Sequence, residues 1–365
     1  MAVSRTAILS YALGTGHKQV AQTLSAELAQ LGHQCRHSPI EEWVPWDYDL
    51  LFRHGYLLVA LRAPAVWNAM YRSHSFTKRG VLALPIMAPR AVKRFEREGF
   101  GKADLVVATQ YNAMEIAADW KKATGRPLKL AVVVTDYDIY PLWARPEVDL
   151  FLVPHADLKA RLVKQGVPES KVLATGIPIN PAFEGQEKDS AVRASLGLSE
   201  ESLVVMVFGG GGGWGPMEAA TEACLSAEEW KVIVVCGNNE KLRRRLAKLA
   251  NKVPNRLRVL GYRRDVAQLM RASDVVVTKG GGLSLTEVLY MGTRTIAISS
   301  MPGQERENVA FLESRGWIEA CGEVAQLGQL LAHPPARSGG QRDLPANPAR
   351  SAALALDSLA REGRS

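Results

Sequence analysis

Residues Leu260–Trp317 read LGYRRDVAQLMRASDVVVTKGGGLSLTEVLYMGTRTIAISSMPGQERENVAFLESRGW. This stretch decides the fold. Asp274–Thr278 (DVVVT) is a short apolar, β-branched run, the mark of a parallel strand buried on both faces. Gly280, Gly281 and Gly282 come next, Ser284 and Leu285 open a helix that runs to about Met291, and Gly292 stops it. A glycine turn feeding a helix N-terminus is an anion site. Its backbone N–H groups point outward, the helix dipole favours negative charge, and glycine lets a phosphate approach. Glu287 lies one turn inside that helix, within reach of a ribose diol when a nucleotide diphosphate rests on the turn. A tight strand-to-helix turn with no ligand would account for the glycines alone. It does not account for the second strand at Thr295–Ser299 (TIAIS) with Pro302–Asn308 (PGQEREN) beyond it. The latter reads as a loop crowded with amide and carboxylate groups of the kind that hold sugar hydroxyls.

The same strand, glycine turn and helix open the chain. Thr6–Tyr11 (TAILSY) leads to Gly14-Thr15-Gly16-His17 and a helix over Gln19–Leu31. The dinucleotide fingerprint G-x-G-x-x-G fails there because position 19 is Gln. His17 stands where a strand-to-helix loop faces a ligand crevice; a structural or surface histidine is the competing reading. Further strands are predicted at Asp104–Thr109, Leu128–Thr135 and Asp149–Val153, with helices at Met114–Ala123 and His155–Gln165. Asp136-Tyr137-Asp138 comes directly after the second of these strands. A D-x-D motif can hold a metal–nucleotide complex, but three letters are weak support. After a polar linker the second half starts at Leu203–Phe208 (LVVMVF) and Gly209–Gly215. Gly210, Gly212 and Gly215 satisfy G-x-G-x-x-G, which raises a dehydrogenase. The next strand, Lys231–Val235, ends in Cys236-Gly237-Asn238-Asn239, without the acid that would hold an adenosine ribose. His333–Ala349 is a Pro/Gly-rich linker, and Ala349–Arg361 has the length of a final helix.

The chain has 365 residues, a net charge of +8 and a hydrophobic content of 47%. That length suits two domains, and the apolar content is enough for two cores. The positive charge favours an anionic partner. Cys35, Cys224, Cys236 and Cys321 are scattered, without metal-ligand spacing, and read as reduced cysteines of a cytosolic protein. The N-terminus lacks a signal-peptide pattern, and no stretch approaches the roughly 20 apolar residues that span a bilayer. Membrane contact is therefore expected to be peripheral. Between Arg53 and Arg97 the only acid is Glu96. Basic residues are interleaved there with aromatics, and Trp43, Trp46, Arg53, Tyr56, Trp67, Tyr71 and Arg72 are assigned to an acceptor- and membrane-binding surface. Each cation near anionic lipid contributes about 1 kcal/mol. Solvated helices that turn their aromatics inward are the alternative. A nucleic-acid groove is also basic and aromatic, but no nucleic-acid motif accompanies this one, so no nucleic-acid partner is expected.

Lys279–Glu287, with Pro302-Gly303-Gln304-Glu305 and Asn308 after it, resembles the donor site of the monogalactosyldiacylglycerol synthase and processive diacylglycerol glucosyltransferase family. The peptidoglycan lipid-intermediate N-acetylglucosaminyltransferase is a more distant relative. The resemblance spans about Ile8 to Trp317. It implies an α/β GT-B fold of two Rossmann-like domains facing a cleft: residues 1–180 for the acceptor and membrane, 181–200 as linker, 201–331 for UDP-sugar, and 332–365 as a tail with a possible returning helix. It implies that Lys279, Gly281, Gly282, Leu283 and Ser284 lie at the diphosphate. Glu287 would hold the ribose, and Gln304 and Glu305 the sugar; Asn308 matches the motif without a clear role. Gly16, and Gly211 and Gly212 in the glycine-rich loop, would approach the donor phosphates, with Tyr262 near the uracil. His17 and Asp136 are both candidate bases. The family's histidine ahead of Pro141-Leu142-Trp143 is replaced by Tyr140, a departure that points to a different acceptor. The implied reaction is inverting transfer of galactose or glucose from a UDP-sugar to diacylglycerol, with no metal or other cofactor, on the cytoplasmic face of the cell membrane. The alternatives are transfer to a polyprenyl-linked acceptor, a soluble UDP-sugar epimerase and a non-catalytic binder.

Overall fold

The computed structural model describes residues 4–11, 15–50, 63, 84–139, 141–185, 190–298, 303–333 and 343–362. The chain forms two compact units, Met1–Asn180 with Leu344–Ser365, and Pro181–Asp343. The first unit contains β1 (Ser4–Ser10), α1 (Gly16–Gln30), β2 (His33–Pro39), α2 (Leu84–Arg97), β3 (Leu105–Ala108), α3 (Tyr111–Thr124), β4 (Lys129–Val133), β5 (Leu150–Val153), α4 (Ala156–Lys164) and β6 (Val172–Ala174). Its strands are all parallel, in the order β2-β1-β3-β4-β5-β6. Every apolar run expected to be a strand is one. β2 was not expected, because HQCRHSP has no apolar run. It lies at the sheet edge, where its alternating exposed Gln34 and Arg36 face water.

The second unit contains β7 (Leu203–Phe208), α5 (Met217–Leu225), β8 (Trp230–Val235), α6 (Glu240–Ala250), β9 (Leu257–Leu260), α7 (Val266–Arg271), β10 (Val275–Lys279), α8 (Gly282–Tyr290), β11 (Arg294–Ile298), α9 (Gln304–Glu313) and β12 (Glu319–Cys321). The parallel sheet runs β12-β11-β10-β7-β8-β9, the Rossmann order. Alternate residues along each central strand feed two separate cores. Val205, Val207, Val232, Val275 and Val277 face one, while Val204, Met206, Ile233, Val235 and Val276 face the other. Burial on both faces is why these strands read as unbroken apolar runs. The stretch read as a linker, 181–200, belongs to this unit. Fully buried Arg193 anchors it, donating to the carbonyls of Ala272, at 2.8 Å, and of Ser199 and Ser202.

In both sheets the strand order reverses beside the first strand. That places a crevice at the carboxyl ends of β1 and β3 in one unit and of β7 and β10 in the other, where open parallel sheets bind ligands. The final helix, Pro348–Arg361, returns to the first unit and packs on α1 through Ala349, Ala352, Ala353, Leu356 and Leu359. A buried histidine fastens it: His33 Nε2 lies 2.9 Å from Asp357 Oδ1, and its Nδ1 lies 2.8 Å from Thr6 Oγ1.

Packing this dense makes single positions consequential. Leu356→Ala is expected to lower stability by roughly 2–4 kcal/mol. Gly237 has φ +55°, and a Cβ there would lie 2.3 Å from Gly211 O. Gly237→Ala is therefore expected to cost more than about 2 kcal/mol. Gly32 has φ +86° but open space around it, and Gly32→Ala is expected to cost only the left-handed strain, about 1 kcal/mol. Thermal melts of the three variants check this ranking.

Candidate functional site

In the first unit the crevice is built from three strand ends. β1 leads to Gly16 and His17 at the start of α1, β3 to Thr109, and β4 to Thr135 and Asp136. His17 Nδ1 lies 2.8 Å from Thr109 O and 3.1 Å from Thr135 Oγ1. A carbonyl oxygen only accepts, so Nδ1 carries the proton and the neutral ring holds its lone pair on Nε2. The ring is thus oriented and set in the tautomer a base requires. Thr109 Oγ1 also donates to the His17 carbonyl at 3.3 Å, which ties the α1 N-terminus to the end of β3. Thr109 and Thr135 were not singled out as site residues. The signal was their position: each comes after a strand at or next to the switch point.

Asp136 is next to Thr135 in the chain and is half-buried. Asp138, the second acid of D-x-D, is paired with Arg161 at 3.2 Å. Among the described residues, no group of three or more His, Cys, Asp or Glu side chains is placed to hold a metal ion. Tyr140 lies outside the described residues.

In the second unit two glycine loops meet at Lys279. The loop after β7 is pinned by the loop after β8. The Asn238 N–H donates to Gly211 O at 2.9 Å, and Asn239 Nδ2 donates to Gly213 O at 3.2 Å. A Cβ at Gly212 would lie 2.0 Å from the Trp214 indole nitrogen. Gly211 and Gly212 therefore shape the loop through close contacts of their own. A Cβ at Gly210 would lie 3.8 Å from Lys279 Cε, and one at Gly281 3.2 Å from Lys279 Nζ. Beside these loops a small pocket is lined by Phe208, Trp214, Met217, Lys279 and Ile298, among others.

The turn after β10 leads straight into α8, whose N-cap is Gly281. Gly282, Leu283 and Ser284 form the first turn and direct their N–H groups outward, as the anion reading requires. The critical glycine of this turn was not assigned a role in advance. A Cβ at Gly280 would lie 2.4 Å from Glu305 O and 2.9 Å from Val309 Cγ2. Asn308 gains a clear role as well. It is fully buried, and its Nδ2 donates to Gly280 O at 3.0 Å, which locks the turn to α9.

Residues 304–308 form helix rather than the expected loop. Gly303, with φ +85° and ψ −127°, is the N-cap of α9, and Gln304 and Glu305 are its first two residues. A conformation open to glycine alone breaks the chain between β11 and α9 and sets both side chains at the helix start. Glu305 is ion-paired with Lys279. Glu287, on α8, is 5% exposed and makes no hydrogen bond or ion pair with the described residues. Burial alone pushes its carboxyl up to about 8. Tyr262 is 58% exposed just beyond β9.

The surface assigned to acceptor and membrane divides. Trp43 is buried, packed against Phe95 and Phe100 at centroid distances of 6.5 and 5.3 Å. It is a core residue and does not face lipid. Burying its indole with two phenylalanines outweighs its place at the start of an aromatic-rich stretch. Trp46 is 75% exposed and Leu50 51%. Arg53, Tyr56, Trp67, Tyr71 and Arg72 lie outside the described residues. On α2, Arg90, Lys93, Arg94 and Arg97 are exposed or half-buried. Among the described residues no helix is long and apolar enough to cross a membrane.

Residues 17–179 match the monogalactosyldiacylglycerol (MGDG) synthase family model, and residues 204–320 match the glycosyltransferase family 28 C-terminal domain. The processive diacylglycerol β-glucosyltransferase of Bacillus pumilus is 30% identical over 320 residues, covering 85% of this chain and 81% of the relative. The protein of the same name from Bacillus subtilis is 29% identical over 321 residues, covering 86% and 82%. The crystal structure of Acinetobacter baumannii MurG superposes with a TM-score of 0.61 at 15% identity, covering 98% of this chain and 99% of that one, which shows a shared GT-B fold. Two units with Rossmann-like sheets, each bearing its crevice at the switch point, and matches across both halves make this chain a member of the monogalactosyldiacylglycerol synthase and processive diacylglycerol glucosyltransferase family, within glycosyltransferase family 28.

Proposed function

We propose that this protein transfers glucose or galactose from a UDP-sugar to the hydroxyl of diacylglycerol, with inversion, giving a β-glycolipid. The observation that carries the donor side is the buried carboxyl of Glu287, without a hydrogen bond among the described residues, inside the helix that opens at Gly282. A ribose diol supplies the hydrogen-bond donors that carboxyl lacks, while the first turn of α8 takes the diphosphate without a metal. Gln304 and Glu305, at the start of α9, are the groups for the hexose. The acceptor is inferred from the relatives, which are named for diacylglycerol. Exposed Trp46 and the cationic side of α2 suit contact with an anionic membrane face, so the protein is placed as a peripheral enzyme on the inner face of the cell membrane.

Inversion is a single displacement. A base removes the acceptor proton as the carbon–oxygen bond to UDP breaks, and the leaving diphosphate takes up the negative charge. His17 is assigned as that base, because the Thr109 carbonyl holds the proton on Nδ1 and leaves Nε2 basic. Asp136 beside it is assigned to orient the acceptor or to stabilise the imidazolium. The direct test is transfer from radiolabelled UDP-glucose or UDP-galactose to diacylglycerol in mixed micelles with anionic lipid. Labelled glycolipid is expected, with His17→Ala lowering kcat by roughly 10²–10⁴ and Asp136→Asn lowering it less. If neither donor labels diacylglycerol, the acceptor assignment fails, and polyprenyl-linked acceptors and epimerised UDP-sugar are the products to look for.

The raised Glu287 carboxyl gives a test independent of the acceptor. Its charged form is disfavoured in the fold, so the fold loses stability as pH rises from about 4.5 towards about 8. Glu287→Gln removes that loss and is expected to raise Tm more at pH 8 than at pH 5. Ribose hydroxyls stabilise the carboxylate, so the same substitution is expected to weaken UDP binding about tenfold or more, and most at pH 8. Calorimetric titration with UDP at both pH values checks this. A variant that binds UDP as tightly as the native chain would remove Glu287 from the ribose site.

A further inference from the structure

Lys279 is the last residue of β10, and Glu305 lies in the first turn of α9. Their side chains form an ion pair, Nζ to Oε1, with only 21% and 14% of each exposed. The same lysine borders both glycine loops, near Gly210 on one side and Gly281 on the other. Its ammonium thus stands where a diphosphate resting on the turn after β10 brings its charge. The carboxylate belongs to the pair of residues assigned to the hexose. Two groups that serve different parts of one ligand neutralise each other while the site is empty.

We propose that this ion pair is an exchange switch that makes the site prefer a loaded donor to spent UDP; the inference rests on the UDP-sugar reading above. The diphosphate takes Lys279 away from Glu305, and the released carboxylate accepts hydrogen bonds from the hexose hydroxyls. UDP alone also takes Lys279, but it leaves a partly buried carboxylate without its cation, and such a group is penalised. UDP-hexose brings O–H donors to that carboxylate and offsets the penalty. When the sugar has moved to the acceptor, Glu305 loses its donors and reclaims Lys279. The diphosphate then loses its cation. Departure of the sugar thereby weakens the hold on UDP, and product release is driven by the same two side chains that bound the donor.

Calorimetric titration of the full chain with UDP, UDP-glucose and UDP-galactose tests the switch, using the native protein, Glu305→Gln, Lys279→Met and the double variant. Glu305→Gln removes the competitor for Lys279. It is expected to bind UDP about five- to tenfold tighter than the native protein, and its preference for UDP-hexose over UDP is expected to shrink. The gain in UDP affinity is expected to vanish in the Lys279→Met background, because the two residues act as one unit. A merely structural pair would behave otherwise: Glu305→Gln would melt earlier and weaken UDP and UDP-hexose alike, which overturns the proposal. It is overturned equally if the gain persists without Lys279. Should the native protein bind neither UDP nor either UDP-hexose, the donor reading itself fails and the switch falls with it. Binding of UDP without the gain in Glu305→Gln sinks the switch alone.

Discussion

Helix α9 lies so close to the turn after β10 that no side chain fits between them. The α-carbon of Gly280 meets the carbonyl of Glu305, and the Asn308 amide closes the gap by donating to the Gly280 carbonyl. This backbone contact sets the height of the turn above the sheet and the direction in which α8 departs. It also brings Glu305 to Lys279 and holds Gln304 beside it. The turn after β10 and the start of α9 are therefore one rigid object, joined at a point where a single methyl group would push them apart. Asn308, fully buried, acts through that joint.

Both crevices hold groups that the protein either satisfies poorly or aims tightly. Glu287 sits in the apolar surroundings of α8, with Leu285, Thr286 and Val288 buried around it in sequence. A buried carboxyl with no partner works against the fold. The first unit shows the opposite tactic. His17 is aimed by a backbone carbonyl, a group that no side-chain substitution at position 109 removes. The orientation of the imidazole thus depends on the register of β3 against β1, and the sheet itself supplies the hydrogen bond that a second side chain supplies elsewhere.

Strands buried on both faces were legible because they must be apolar at every position, as in DVVVT, LVVMVF and LKLAVVVT. The glycine turn opening α8 was legible because a run of glycines between a buried strand and an apolar helix marks the tight passage from one to the other. What stayed hidden had its cause in three dimensions. β2 carries no apolar run because its outer edge and part of its faces meet water. Gly303 could not be told from an ordinary loop glycine without its backbone angles, so the helix beginning at Gln304 read as loop. Trp43 opens an aromatic-rich stretch but is drawn inward by Phe95 and Phe100, partners far away along the chain. The joining role of Asn308 depends on Gly280, which lies on the far side of a strand. Close backbone approach leaves no mark on composition or periodicity.

Each parallel sheet ends in two open strands, and an unpaired strand edge is a template for another chain. Here the edges are unsuited to that role. β6 and β12 are three residues each, β9 places Arg258 outward, and β2 carries Arg36 outward and ends at Pro39. Short length, outward charge and a proline each deny an incoming strand a continuous ladder of hydrogen bonds. The strand that was hardest to read is thus also poorly suited to recruit a neighbour, for the same reason: its polar sequence. Resistance to sheet-to-sheet aggregation is written into the segments that contribute least to the cores.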